Sequence, residues 1–402
     1  MPVAAIPMTD GQAHSIPIAL KQILSTHQLM KSYICGIGTA NPPHKIPQMQ
    51  VADFMAAAHQ LDEQGSRKLK ALYRVSGISQ RYSVLEDFTR QNGDYTFFPN
   101  THDLEPFPTV QQRMEVYRKH ALDLSEQAVR NCLAQVSDTT LQSLTHLITV
   151  SCTGMYAPGL DIELVERLEL NSCVQRTAVN FMGCYAAFNA IKLADAICKA
   201  DPSARVMLVC TEICTIHFQK NQEQDHLVSN ALFGDGAAAV LMQGQPCREV
   251  SLELQSFHCD LAPAGKREMA WHIGDTGFEM TLSSYVPDLI KNGIKQLTER
   301  LLQGLRTTVS EIKLFAIHPG GRRILEVIEQ ELGLTRDDNR FAYRVLHEFG
   351  NMSSATVLFV LKELMASLTT QEKDEPVLSF AFGPGLTLES MLLKVHYAEA
   401  KV

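Results

Sequence analysis

The stretch "TAVNFMGCYAAFNAIKLADAI", residues 177–197, changes its periodicity partway along. Thr177 to Phe181 mixes β-branched and apolar residues in the manner of a buried strand, whereas Ala186, Ala187, Ala190, Ile191, Ala194 and Ile197 recur at helical spacing. Met182-Gly183-Cys184 occupies the junction. The pattern predicts a buried strand that turns directly into an almost wholly apolar helix, with a cysteine at the turn. A cysteine in a helix's first turn faces unsatisfied backbone N–H groups and the positive end of the dipole, both of which favour thiolate over thiol. Lowering a thiol pKa from about 8.5 to about 5.5 takes roughly 4 kcal/mol, more than a dipole supplies. A nucleophilic Cys184 therefore needs a cationic neighbour, and histidine is the natural one. Taken alone, the same residue also reads as one more small core side chain.

On either side of this stretch the chain alternates apolar strands with helices. The strand "HLITVSC" (146–152) leads to the helix "GLDIELVERLEL" (159–170), and the strand "ARVMLVCTEI" (204–213) follows the opening stretch. After "FGDGAAAVLMQG" the pattern starts again: strand "SLELQSFHCD", helix "VPDLIKNGIKQLTERLLQGL", strand "IKLFAIHPGG", helix "RRILEVIEQELG". A helix at "SSATVLFVLKELMASL" and two strands, "EPVLSFAFGPG" and "TLESMLLKV", close the chain. The expected organisation is a loose N-terminal extension over 1–30 and two α/β halves over 31–246 and 247–402. Within the first half lies a polar insertion, residues 85–114, longer than connecting loops usually are and suited to covering a site.

Composition narrows the function. With 402 residues, 45% hydrophobic and 20% charged, the chain has enough apolar content for one large or two ordinary cores. No run reaches the roughly 18 apolar residues of a membrane span, and the N-terminus lacks the pattern of a secretory signal, so a cytoplasmic protein is expected. The ten cysteines, at 35, 132, 152, 173, 184, 198, 210, 214, 247 and 259, contain no C-x-x-C pair and lie mostly in apolar runs, as free thiols of a reducing compartment do. No Cys/His cluster has zinc spacing, so no metal is expected. A net charge of −8 argues against nucleic acid as a partner and leaves small molecules.

Two further features carry chemistry. His318 follows the apolar strand "KLFAI" and opens "HPGG", whose proline and glycines end the strand and let backbone approach a ligand. Asn351, in "FGNMSSATVLFVLKEL", is either an N-cap or turn residue or an amide donor to a developing oxyanion. The turns "FGDGAAAV" and "FGPGLTLES" match no phosphate-binding fingerprint and read as turns beside a cavity.

Together "NFMGCYAAFNA", "ALFGDGAAAVL", "FAIHPGGRRILE", "FGNMSSATVLFVL" and "FAFGPGLTLES", in that order, resemble the chalcone and stilbene synthase family, the type III polyketide synthases. The resemblance implies an α/β protein of the thiolase fold, two similar halves stacked as five αβαβα layers. It also implies a homodimer that acts on CoA thioesters without metal, organic cofactor or carrier protein. Cys184 is then the acyl-accepting nucleophile, and His318 and Asn351 polarise the malonyl thioester during decarboxylation. Phe233 matches the family's gatekeeping phenylalanine, and Met280 stands where a second one is usual. Cys152, Cys214, His217, Trp271 and Ser353 fall on cavity-lining positions. Ala157 stands where plant enzymes extend a methionine into the partner's cavity.

"SCTGMYAPGLDIELV" and "LEPFPTVQQRM" look like the microbial branch that includes alkylresorcinol and alkylpyrone synthases, which implies a medium or long fatty acyl starter. The alternatives are a malonyl or short starter giving a small phenolic ring, a single-condensation ketoacyl-synthase-III-like enzyme, and a non-catalytic scaffold of the same fold. A cysteine at position 152 is compatible with assisting extension or with being a small wall residue. The family's CoA entrance is basic. Arg67, Lys70 and Arg74 share one helical face with Lys68 adjacent, and Arg322 and Arg323 follow HPGG; a solvated charged face accounts for the helical set equally well. Papain-like proteases also run Cys, His, Asn along the chain, but their local signature is missing.

Overall fold

The computed structural model describes residues 30–398 except 91, 92, 247, 248, 284, 304 and 306, and the side chain of 264. The N-terminal extension up to residue 29 and Cys247 lie outside the described residues. The described chain from Lys31 onward is one compact unit.

Two helices decide the architecture because apolar side chains cover almost all of their surface. In Ala186–Ala200, the residues Ala186, Ala187, Phe188, Ala190, Ile191 and Ala194 are fully buried, and in Thr356–Ser367 so are Val357, Leu358, Val360 and Leu361. A helix apolar all round is stable only if other elements cover it on every side. Strands of both halves do this here.

The strands are β1 (Tyr33–Ala40), β2 (His44–Pro47), β3 (Gln80–Ser83), β4 (His146–Ser151), β5 (Gln175–Asn180), β6 (Arg205–Ile213) and β7 (Asp235–Gln243), then β8 (Val250–Leu261), β9 (Met269–Gly274), β10 (Gly277–Leu282), β11 (Leu314–Ile317), β12 (Pro376–Gly383) and β13 (Thr387–Tyr397). The helices are α1 (Gln48–Ala58), α2 (Glu63–Val75), α3 (Val110–Leu133), α4 (Leu160–Arg167), α5 (Ala186–Ala200), α6 (Gln224–Leu232), α7 (Val286–Leu302), α8 (Arg322–Leu332), α9 (Arg340–Phe349) and α10 (Thr356–Ser367).

Nine strands hydrogen-bond in the order β11-β12-β13-β8-β1-β7-β6-β4-β5. Strands of the first part of the chain meet those of the second at one seam, where β1 and β8 share only Tyr33↔Glu253 and Ile34↔Leu252. The α5 helix packs on β4, β5, β6 and β7 and also touches β13, while α10 contacts β11 as well as β1 and β7. Along β6, Val206, Leu208 and Cys210 enter the core that holds α5 and α10, and Met207 and Val209 enter a second core with α1 and α3. This period-two division is what a strand buried on both faces produces. It is the layered α/β thiolase fold.

The structure departs from the sequence reading at β5. The pattern predicts a buried strand, yet the residues of β5 are exposed apart from Val179, which is half-buried. β5 is the last strand of the order and pairs only with β4, so its apolar residues mark an uncovered edge rather than a core. The β9–β10 hairpin and α9 are absent from the sequence reading; the hairpin's strands are short and half-exposed, which weakens their signal.

The 85–114 insertion is tied down by its own contacts, and its Phe88 lines a cavity. Its buried Asp87 carboxylate accepts from the Thr96 N–H (2.9 Å) and hydroxyl (2.7 Å) and from the Phe97 and Phe98 N–H groups (both 2.9 Å). Phe88, Phe98 and Phe107 then pack with Phe54 and Phe218. No described helix is long and apolar enough to cross a membrane.

Candidate active site

Cys184 lies two residues ahead of α5, just outside its first turn. Phe181 and Gly183 both take positive φ, 60° and 82°, which turns the chain sharply between β5 and α5. The turn is held from two sides. A Cβ on Gly183 would lie 2.1 Å from Pro384 Cδ, in the turn between β12 and β13, so only glycine fits. From the other side the Gly183 N–H donates to Cys152 Sγ at 2.9 Å, at the end of β4.

At 7% exposure, Cys184 is enclosed, and burial pushes its thiol up to about 12. Hydrogen bonding to the side chains of Ser353 and Asn351 opposes that rise. His318 ends β11, its N–H donating to Phe380 O at 2.8 Å. Burial pushes its imidazole down to about 3, and neither ring nitrogen has a hydrogen-bond partner among the described residues. Burial thus drives each group separately toward its neutral form. Charge on either is favourable only if a neighbouring group carries the opposite charge, and each of the two is the natural counter-charge for the other.

Asn351 does not cap α10. Its N–H donates to Leu232 O at 2.9 Å, in a bridge that pairs it with Phe233. Its Oδ1 accepts from the Ser353 N–H (2.9 Å) and the Thr356 hydroxyl (3.3 Å), which fixes the amide orientation, and Nδ2 donates to Gly320 O at 3.2 Å. One amide therefore ties the HPGG turn of His318 to the turn of Cys184. An amide nitrogen carries two protons, and the second is directed at the Cys184 sulfur.

Behind the turn lies a residue the sequence reading missed. The buried Glu212 carboxylate accepts from the Cys152 N–H (3.0 Å), the Thr153 hydroxyl (2.8 Å) and the Ser354 hydroxyl, locking β4, β6 and the Asn351 segment together. Burial raises its pKa. A glutamate inside the apolar strand "ARVMLVCTEI" was the available signal, since a buried carboxylate must be hydrogen-bonded.

Cys184 opens on a small cavity of about 280 Å³ lined by Cys152, Thr153, Gly183, Cys184, Cys214, Phe233, Trp271, Met280, Ser353 and Pro384. The structure thus brings Phe233, Met280, Cys152, Cys214, Trp271 and Ser353 around Cys184. Trp271 and Met280 are cross-strand partners on the β9–β10 hairpin, and the Trp271 indole donates to Cys152 O at 2.7 Å. Cys214, Phe233, Trp271 and Met280 also line a second, largely apolar chamber. His217 sits on that chamber's wall. It accepts the Phe278 N–H at Nδ1 (2.9 Å), so Nε2 carries the proton given to Thr153 O (2.7 Å), and burial lowers its pKa to about 3. It is a fixed neutral wall, stacked on Phe278 at 4.2 Å.

A vestibule of about 880 Å³ lies on the other side of the HPGG turn, bounded by Leu72, Val75, Gly320, Gly321, Arg322 and Arg323 among others. Of α2, it is the face of Leu72 and Val75 that reaches it, and Lys68 precedes these residues by four and seven positions on the same face. Lys70 instead pairs with Asp53 at 2.6 Å, Arg67 pairs with Glu63 at 3.4 Å, and Arg74 is exposed. Ala157 is exposed in the turn before α4 and lines neither the chambers nor the vestibule.

A cysteine held at a strand–helix turn, a strand-end histidine and an oriented amide define a thiolase-fold acyltransferase. Residues 24–246 match the N-terminal domain of chalcone and stilbene synthases and residues 253–396 their C-terminal domain, and the chain belongs to this family. It is a type III polyketide synthase, an acyltransferase of decarboxylative condensation. It is 28% identical to an "Alpha-pyrone synthesis polyketide synthase-like Pks18" of Mycobacterium tuberculosis, covering 97% of each chain. It is 29% identical to "Probable polyketide synthase 1" of Dictyostelium discoideum over 98% of this chain, which spans only 12% of that protein. Among solved structures, the C-terminal type III domain of Steely1 from Dictyostelium matches with a TM-score of 0.83 at 28% identity, covering 90% of this chain and 99% of that one. PKS-I of the brown alga Ectocarpus siliculosus matches with 0.84 at 27%, covering 92% and 99%.

The Gly183→Ala variant is expected to lose about 2–4 kcal/mol, through its positive φ and the contact with Pro384. Chemical denaturation measures this; a wild-type midpoint contradicts it.

Proposed function

We propose that this enzyme loads a medium or long fatty acyl group from its CoA thioester onto Cys184 and extends it with malonyl-CoA to an alkylpyrone, alkylresorcinol or related phenolic product. The observation that carries this reading is the largely apolar chamber that shares four wall residues with the Cys184 cavity, giving a hydrocarbon tail a place beside the thioester. The relative named for alpha-pyrone synthesis supports the product class.

In the proposed cycle the Cys184 proton passes to His318 as sulfur attacks the acyl-CoA carbonyl, and CoA thiolate leaves. Creating both charges together avoids the burial cost of either alone. Malonyl-CoA follows. Its carboxylate leaves as carbon dioxide, the freed electron pair forms an enolate, and donors at His318 and the Asn351 N–H, released from sulfur once the thiol is acylated, stabilise the oxyanion. The enolate carbon attacks the acyl-cysteine carbonyl and expels the Cys184 thiolate, and transfer of the longer chain back to sulfur begins the next round. Cyclisation of the finished chain completes the reaction. No metal or organic cofactor takes part in this scheme.

The CoA portion is assigned to the vestibule, with Arg322, Arg323 and Lys68 available to its phosphates. The wall between vestibule and Cys184, made by the HPGG and Asn351 segments, then parts to admit the pantetheine arm. The chain is proposed to act as a homodimer in the cytoplasm. The open edge of β5, with exposed Met182 in the turn after it and exposed Met155 and Ala157 in the turn after β4, is the surface offered to the second copy.

Incubation with saturated acyl-CoAs of six to sixteen carbons, and with malonyl-CoA alone, followed by intact-mass spectrometry, tests the starter. The account expects an acyl adduct on the wild type with medium or long chains and none on Cys184→Ala; an adduct that persists on the variant, or priming by malonyl-CoA alone, contradicts it. Asn351→Ala is expected to slow carbon dioxide release from malonyl-CoA by about 10²-fold or more, and an unchanged rate removes Asn351 from the role.

A further inference from the structure

The chamber beyond Phe233 is apolar over most of its wall, but two polar side chains in it are left without partners. Arg81, at the middle of β3, is 4% exposed. Its Nη1 donates to Phe233 O at 2.5 Å, the Tyr73 hydroxyl lies beside the guanidinium, and Nε and Nη2 are otherwise without a hydrogen-bond partner among the described residues. The Tyr73 ring centre stands 5.7 Å from its guanidinium carbon. Ser229, on α6, is 7% exposed, and its Oγ has no partner either. Both line the chamber. The other amides on that wall are already engaged: Gln219 Nε2 donates to Thr276 O at 3.2 Å and Asn230 Nδ2 to Gln219 O at 3.1 Å.

A buried guanidinium or hydroxyl without a partner costs free energy that a ligand oxygen recovers. Resting on the starter reading above, we propose that this chamber selects acyl chains carrying a neutral oxygen, a hydroxyl or a carbonyl, at the end remote from the thioester, which accepts from Arg81 and hydrogen-bonds to Ser229. A carboxylate fits less well. Asp235 already faces the Arg81 charge, its own oxygens taken by the Val84 N–H (2.9 Å), the Thr215 N–H (2.8 Å) and the Thr215 hydroxyl (2.6 Å), and a second anion would repel it. A plain hydrocarbon tail of equal length fills the space but seals both polar groups away from water. Arg81 also grips the carbonyl of Phe233, so an oxygen bound there is positioned next to the residue that separates the chamber from Cys184.

The test is the rate of Cys184 acylation, read by intact mass without malonyl-CoA so that only the starter is judged. Saturated acyl-CoAs of six to sixteen carbons are compared at each length with their ω-hydroxy and ω-carboxy counterparts. At the best length the ω-hydroxy chain is expected to load about tenfold faster than the methyl-terminated chain and faster than the ω-carboxy chain. Ser229→Ala, which removes one small polar group and leaves the Phe233 anchor in place, is expected to reduce that preference to about threefold or less. Equal or slower loading of the ω-hydroxy chain at every length overturns the inference while leaving the fatty acyl reading intact. So does a preference undiminished in Ser229→Ala. Absence of an adduct with any starter defeats the starter reading and this inference with it.

Discussion

A thiol enclosed in an apolar interior does not ionise unaided, and the protein is organised around this constraint. The Cys184 turn requires Gly183 because Pro384 presses on it, and it is steadied by Cys152, whose own backbone is held by Glu212. Asn351, which also hydrogen-bonds the thiol, carries the connection across to the HPGG turn. Each of these contacts joins strands or turns that are far apart in sequence. The positions of sulfur, imidazole and amide are therefore set by the fold as a whole rather than by any one loop.

On the proposed cycle, enclosure would shield an acyl thioester on Cys184 from hydrolysis between rounds, and donors around it would act in a medium where they are strong. The space around the sulfur is divided. A vestibule bounded by arginines and apolar residues of α2 lies beyond the HPGG turn, and a larger chamber lies beyond Phe233, Trp271 and Met280. The second chamber's wall is mainly apolar, with unpaired polar atoms on Arg81 and Ser229.

Much of this was legible in the sequence, and the exceptions have physical causes. The strand-to-helix change at Met182-Gly183-Cys184 is local, as is the strand-ending HPGG, so periodicity and turn chemistry were enough to find them. The wall residues Phe233, Met280, Trp271, Cys152, Cys214 and Ser353 came from the resemblance, and the structure brings them into one cavity. Edge exposure is not encoded in a strand's own composition, which is why β5 read as buried. Charge on a helix is likewise ambiguous about its partner: Lys70 faces Asp53 on α1, whereas Leu72 and Val75 face the vestibule. Glu212, Arg81 and Ser229 escaped because each acquires its meaning from groups distant in the chain.

The central claim is that His318 supplies the opposing charge that lets buried Cys184 ionise. The most direct measurement is the pH dependence of Cys184 alkylation by iodoacetamide in the wild type and in His318→Gln. Removing the imidazole leaves burial unopposed, so the thiol pKa rises and the variant's alkylation profile moves to higher pH by more than about one unit. Superimposable profiles would contradict the pairing and leave the enclosure of sulfur without a catalytic explanation.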